Sequence, residues 1–224
     1  MIVPVLCLAL LGSTPQALIA DGQKAVDALG TYSFRMIKRE RVRDELHAPQ
    51  EILATVREAP FAVRLEFVKG PARGRRVLYN SVIRAHQFRV REAGVFSVFG
   101  AIWIDVDTSL AKKHSKHTVL EAGLGNLMRR LEREQARAVL LGGFAVKKEG
   151  LNARGSSCEV WTSPNPGKGL DTASTRLCVD PKTALPSSIE AYDLKGTLLE
   201  TYEFFDVKKV PVSEEFFVPG AGGV

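Results

Sequence analysis

The chain has 224 residues, 45% hydrophobic and 25% charged, which excludes wholesale disorder and supplies one sizeable core. Its formal net charge is +6 and its pI about 9.3. Lys and Arg are interleaved with Asp and Glu, without a run of roughly five or six like charges, so a solvated basic surface is expected and no nucleic-acid partner.

The chain opens "MIVPVLCLALLGSTPQALIADG". The apolar run is too short to span a bilayer as a helix, which takes roughly 20 residues, and suits the core of a secretory signal peptide. No Lys or Arg precedes it, and neither Ala17 nor Ala20 completes an Ala-x-Ala cleavage site. The expected division is a signal peptide at residues 1–20 and one domain at 21–224, in the periplasm or secreted. Cys7 lacks the approach sequence of a lipid-anchored cysteine. Residues 16–30 carry Leu18, Ile19, Ala25, Val26 and Leu29 at loosely helical spacing, which predicts a short helix.

From Tyr32 the apolar period becomes two. "SFRMIKRERV" reads as the first strand, and "QEILATVR" and "FAVRLEF" as a hairpin turning at Ala59 and Pro60. That turn sets Val56 against Val63, Ala54 against Leu65 and Ile52 against Phe67, all apolar, and leaves Thr55, Arg64, Leu53 and Glu66 on the other face. A slip of one residue would scramble this sorting, so the register is well specified. Arg64 and Glu66 are expected to point outward and to be replaceable at little cost. "RRVLYN" continues the greasy face with Val77 and Tyr79. "RAHQFRV" and one long strand, "GVFSVFGAIWIDVD" with a bend at Gly100, follow.

"TVLEAGLGNLMRRLEREQARA" predicts a central amphipathic helix opened by Thr118 and Glu121 in capping-box spacing. Leu120, Leu124, Leu127, Met128 and Leu131 form its stripe, with Arg129, Arg130, Arg133 and Glu134 toward water. Gly123 and Gly125 each cost about 1 kcal/mol against Ala in a helix interior, which close approach to the sheet would offset. Beyond it "GFAVKKEG", "SCEVWTS", "STRLCVD", "SSIEAYD" and "TLLETYEFFDV" resume the strands. The fold class is α+β and mostly antiparallel: one curled sheet of about ten strands, with the central and N-terminal helices on its concave face.

Positions opposite each other across a hairpin have a constant sum of indices. Cys158 and Cys178 centre on Lys168, inside the turn-forming "PNPGKG", and so face each other as a disulfide would require. Other chemistry is sparse. His114, His117 and Glu121 invite a metal, but His117 stands ahead of the helix, so solvated loop histidines, or a His117 that hydrogen-bonds the helix entry, are the better reading. Asp105 and Asp107 share a strand face and read as solvated carboxylates. Arg73, Arg75 and Arg76 form a basic hairpin tip. With no nucleophile elbow, phosphate loop, zinc motif or dinucleotide fingerprint, neither catalysis, a metal nor a cofactor is expected.

"YSFRMIKRERV", "VREAPFAVRLEF", "GRRVLYN", "HTVLEAGLGNLMRRL" and "RLCVDPKTALPSSIEAYD…LETYEFFDV" resemble a bacterial family of secreted proteins of unknown function, from about Tyr32 to Phe217. That family is in turn similar to the periplasmic lipoprotein carriers of the LolA/LolB type. The resemblance implies a half-open barrel with a helical lid over an apolar cavity for acyl chains, and supplies no catalytic residue. Independently, a helix of about 20 residues is roughly 10 Å wide and cannot cover ten strands spaced ~4.8 Å apart. Ile52, Ala54, Val56, Val63, Leu65, Phe67, Leu124 and Leu127 are therefore expected at a lipid cavity. The expected partners are an apolar ligand (lipid or acyl chain) or an envelope protein, with transient contact at a membrane surface.

Overall fold

The computed structural model describes residues 14–111, 115–166, 170, 172–220 and 223–224. Cys7, His114 and Lys168 lie outside them, as does most of the apolar opening segment. The first element is α1 (Pro15–Leu29), where Thr14 Oγ1 accepts from the Ala17 N–H at 3.2 Å and proline occupies the first turn. The boundary expected at residue 20 falls inside this helix. Leu18 and Ile19 of α1 are buried in the core.

The first seven strands are β1 (Thr31–Val42), the two-residue β2 (Glu45–Leu46), β3 (Gln50–Arg57), β4 (Ala62–Lys69), β5 (Arg76–Asn80), β6 (Gln87–Arg91) and β7 (Ala101–Asp105). After α2 (Leu124–Leu140) come β8 (Ala145–Leu151), β9 (Ser157–Thr162), β10 (Ser174–Val179), β11 (Pro186–Tyr192) and β12 (Leu198–Lys209). They form one open antiparallel sheet in the order β7-β6-β5-β4-β3-β1-β12-β11-β10-β9-β8, with β2 beside β1. The β3–β4 register is Val56↔Val63, Ala54↔Leu65 and Ile52↔Phe67, as the apolar sorting dictates. The long strand expected from residue 94 is interrupted. Gly94–Phe99 winds into a 3₁₀ turn, and Gly100, at φ 70°, bends the chain into the short edge strand β7.

Cys178 pairs with Cys158 across β9–β10, and the two are joined as a disulfide. Their sequence separation is 20, and closing a loop of that size contributes about 3 kcal/mol. Peptide mapping without reductant should return the linked pair. The double serine variant should melt roughly 6–12 °C lower, and two freely alkylated thiols in exported protein would refute the bridge.

The capping box at Thr118 and Glu121 is present, but it closes a 3₁₀ turn (Val119–Glu121) and not the α-helix. Gly123, at φ 93°, breaks the chain between the two, and α2 starts one residue later. Leu120 is consequently outside the stripe and exposed, while Leu124, Leu127, Met128 and Leu131 are buried. The glycines do allow close approach. A Cβ on Gly125 would lie 2.3 Å from Glu58 Oε2, and one on Gly123 3.1 Å from Val56 Cγ1. The Tyr32 hydroxyl fastens this junction: it accepts from the Leu124 N–H at 2.8 Å and donates to Glu58 at 2.7 Å. Burial, and then the Glu58 charge, push the Tyr32 hydroxyl well above the ordinary phenol range.

The outer face carries its own small core. Phe217, in a 3₁₀ turn (Glu214–Phe217), packs with Ala62, Leu78 and Val224. Arg57 pairs with Glu214, Asn80 donates to the Phe217 carbonyl, and Arg64 lies 4.9 Å over the Phe216 ring. Arg64 is thus not a free outward side chain, because its guanidinium holds down the C-terminal segment.

Candidate functional site

Between the concave face and the helical layer is a cavity of about 670 Å³. Its floor comes from alternate residues of successive strands: Phe34 and Met36 of β1, Ile52 of β3, Leu65 and Phe67 of β4, Val77 of β5, Phe88 and Val90 of β6. Ile102 and Ile104 of β7 and Phe204 of β12 extend it sideways, and Leu110, Ala111, Val119, Ala122 and Leu127 roof it. The period-two alternation that sorts each strand puts all these apolar groups on one side. Ile102 and Leu110 are 46% and 55% exposed, which marks them as part of an apolar rim.

Of the eight expected cavity residues, Ile52, Leu65, Phe67 and Leu127 line this space. Ala54, Val56, Val63 and Leu124 do not. The start of α2 sits on that end of β3, with Gly123 against Val56, so these four are packed core with at most 2% exposure. The hairpin face is therefore divided lengthwise between a filled half and an open half.

One wall of the cavity is polar. Along β1 the inward positions change from Phe34 and Met36 to Lys38 and Glu40. Lys38 Nζ donates to Glu40 Oε2 and to Ser115 Oγ, each at 3.1 Å, and the Tyr202 hydroxyl donates to Glu40. Burial disfavours the Glu40 charge, but Lys38 and these hydrogen bonds outweigh it and lower its pKa. Beside this group, His117 Nε2 is 2.7 Å from Glu200 Oε2 and Nδ1 is 3.2 Å from Glu121 Oε1. A carboxylate at each ring nitrogen favours the imidazolium, in which both nitrogens donate, while the Arg130 charge opposes it. Burial opposes that charge, but the hydrogen bonds to Glu121 and Glu200 hold the His117 pKa up at about 9. Arg130 Nη1 reaches Glu200 Oε1 at 3.0 Å and also stands 2.7 Å from His117 Nε2, so two cations share one buried carboxylate. Burial would raise the Glu200 pKa, but the His117 hydrogen bond and the Arg130 charge bring it to about 2.

His117 thus meets the helix entry through Glu121, while Arg130, expected to face water, turns inward. Its guanidinium is far from fully solvated because β12 presents Glu200 beneath it. Asp105 and Asp107 are exposed, with Asp105 accepting from Gln87 at 2.6 Å. Arg75 of the basic tip pairs with Glu92 at 2.9 Å on the cavity's other margin. Among the described residues, no group of three or more His, Cys, Asp or Glu side chains could hold a metal ion. None of their helices is long and apolar enough to cross a membrane.

The sequence matches the family described as "Protein of unknown function (DUF1571)" over residues 29–219. The chain belongs to the DUF1571 family. No curated protein matches it. Among solved structures, this DUF1571 chain is similar to an uncharacterized conserved protein from Thermus thermophilus, with a TM-score of 0.53 at 10% identity. That match covers 93% of this chain and 97% of the other. The Pseudomonas aeruginosa MucA/MucB complex matches with a TM-score of 0.50 at 14% identity, covering 93% of this chain and 62% of that one. A LolA superfamily protein from Nitrosomonas europaea matches at 10% identity with a TM-score of 0.43, covering 92% and 98%. At such identities the likeness is one of fold.

Proposed function

We propose that this DUF1571 protein is an exported, non-enzymatic carrier or binder of lipid or lipoprotein acyl chains in the cell envelope. The observation that carries this reading is the cavity of about 670 Å³ under a helical roof, apolar on its floor and open at an apolar rim. Its volume falls within the range of about 300–1,000 Å³ usual for ligand pockets. Each methylene taken from water into it is worth about 0.8 kcal/mol, so a chain of ten would supply affinity without any catalytic group. The exposed Ile102 and Leu110 at the rim suit transient contact with a membrane surface during loading. Export agrees with the apolar opening segment and with a disulfide, which persists in oxidising compartments.

Native mass spectrometry of the purified protein tests the proposal. Lipid adducts should accompany the protein, and added phospholipid should raise their occupancy. A protein that carries no lipid and takes up none overturns it. A second reading, a periplasmic sensor or protein-interaction domain, draws on the MucA/MucB structure, in which a chain of similar fold is solved in complex with a partner protein. It gains if the cavity stays empty while an envelope protein binds.

A further inference from the structure

We infer that the open edge of β7 is a peptide-binding subsite, where an acylated polypeptide lays its backbone as an added strand while its acyl chain lies on the cavity floor. This rests on the carrier reading and names which of its guests the protein is built for. The sheet ends in β7 on one side and β8 on the other, and the two edges differ. β8 carries Lys147 and Lys148, and its register slips between Lys148 and Gly150. Lysines and bulges are common guards that keep an exposed edge from pairing with other strands. β7 reads "AIWID" and pairs with β6 in unbroken register. It has no lysine, no proline and no bulge.

Hydrogen-bond parity defines what this edge offers. The Val106 N–H donates to the His86 carbonyl at 3.0 Å, so position 106 faces β6. Backbone groups alternate in direction along an antiparallel strand, so Ile102 and Ile104 also bond to β6. The N–H and C=O groups of Ala101 and Trp103, and the Asp105 N–H, therefore point away from the sheet. The Asp105 carbonyl accepts from Thr108 Oγ1 at 2.9 Å. Among the described residues nothing pairs with the others. The same strand is the rim of the cavity. Ile102 and Ile104 line it, yet Ile102 is 46% exposed, and Leu110 of the roof is 55% exposed. A guest leaving the cavity over this rim meets free backbone groups one residue from the apolar lining. An extended peptide supplies donors and acceptors in the same alternation and at the same spacing as β7, which a lipid head group does not.

The test compares Trp103→Pro with Trp103→Val. Both remove the indole, which lies under the Arg84 guanidinium and outside the cavity lining. Only proline also removes the outward N–H, and it breaks no bond to β6. Three probes displace the fluorophore N-phenyl-1-naphthylamine from each protein: a short N-palmitoyl peptide, the same molecule N-methylated along its backbone, and methyl palmitate. The palmitoyl peptide should bind Trp103→Pro about tenfold more weakly than Trp103→Val, as for the loss of one net hydrogen bond. Methyl palmitate should bind the two alike. In wild type the methylated peptide should bind at least about tenfold more weakly than its parent, a comparison that holds even if Trp103→Pro fails to fold. Equal affinity of the palmitoyl peptide for the two variants, or of the two peptides for wild type, overturns the subsite, and methyl palmitate binding then leaves the carrier reading standing. A wild type that dimerises on size-exclusion chromatography, where Trp103→Pro stays monomeric, assigns the edge to a second copy and overturns it too. If wild type takes up neither palmitoyl peptide nor methyl palmitate, both readings fall.

Discussion

Leu65→Glu should leave the protein folded and abolish its binding of a fluorescent acyl probe, whereas Val63→Glu, two residues earlier on the same face, should prevent folding. Both side chains point to the concave side of β4, but Leu65 borders the cavity and is only partly buried, while Val63 is wholly buried beneath the helical layer. A carboxylate at residue 65 can draw water into the open cavity. At residue 63 it has no route to solvent, and an ionised group there costs several kcal/mol or more (~5), comparable with the whole stability of a domain. Circular dichroism and probe titration on the two variants separate the cases. Leu53→Gln, on the outer face and 45% exposed, is the control and should change neither. If Leu65→Glu unfolds as completely as Val63→Glu and the wild type binds no probe, the face is plain core and the carrier reading fails.

The second large effect is expected at Glu200. Glu200→Gln removes the charge that faces both His117 and Arg130, leaving buried cations without compensation, at a cost of about 3–5 kcal/mol. For a chain of this size the melting temperature should drop by roughly 6–20 °C. The same group gives stability a pH profile of definite sign. His117 has its folded pKa raised to about 9, so its contribution is complete below the unfolded value of about 6.5 and is lost as pH rises through about 9. Glu200 has its folded pKa lowered to about 2, so its contribution is complete above about 4.5 and is lost as pH falls toward 2. Thermal stability should therefore be flat between about pH 4.5 and 6.5, with a decline on each side. His117→Gln should remove the alkaline decline specifically. A variant that keeps the slope between about pH 7 and 9 would assign it to another group.

How far the sequence foretells this arrangement depends on the range of the signal. The β3–β4 register was legible because one pairing sets Ile52, Ala54 and Val56 against Phe67, Leu65 and Val63 and leaves Thr55, Arg64 and Glu66 with Leu53 on the other face. The disulfide was legible for the same reason, since a hairpin's symmetry places Cys158 against Cys178. The polar wall was partly visible: the inward positions of β1 run Phe34, Met36, Lys38, Glu40, so parity alone puts two charges on the greasy face. Its partners were not visible. Glu200 lies 83 residues beyond His117, and nothing local in "LLETYEFFDV" says that its glutamate will meet an arginine of α2. Helical periodicity assigned Arg130 to water because it describes faces of one helix, not what a neighbouring strand presents to them. The division of the hairpin face has the same origin, since Gly123 decides where α2 begins and hence which residues it covers.

The central place of β1 beside β12 has a kinetic consequence. Their pairing joins Tyr32 to Lys209 and Glu40 to Glu200, contacts between opposite ends of the chain. The strands on either side, β3–β7 and β8–β11, are runs of neighbouring hairpins and can zip locally, each loop closure costing little. The seam between the two runs closes only over most of the chain length, and it needs the last strand. A chain emerging from a ribosome or a translocation pore can form both hairpin runs before it can join them. Until then β1 and β11 present open edges to any other strand nearby. Pulse-labelled hydrogen exchange should find amides across β1–β12 protected last, after those of β3–β4 and β9–β10, and a β12 deletion should leave two runs that form and never unite.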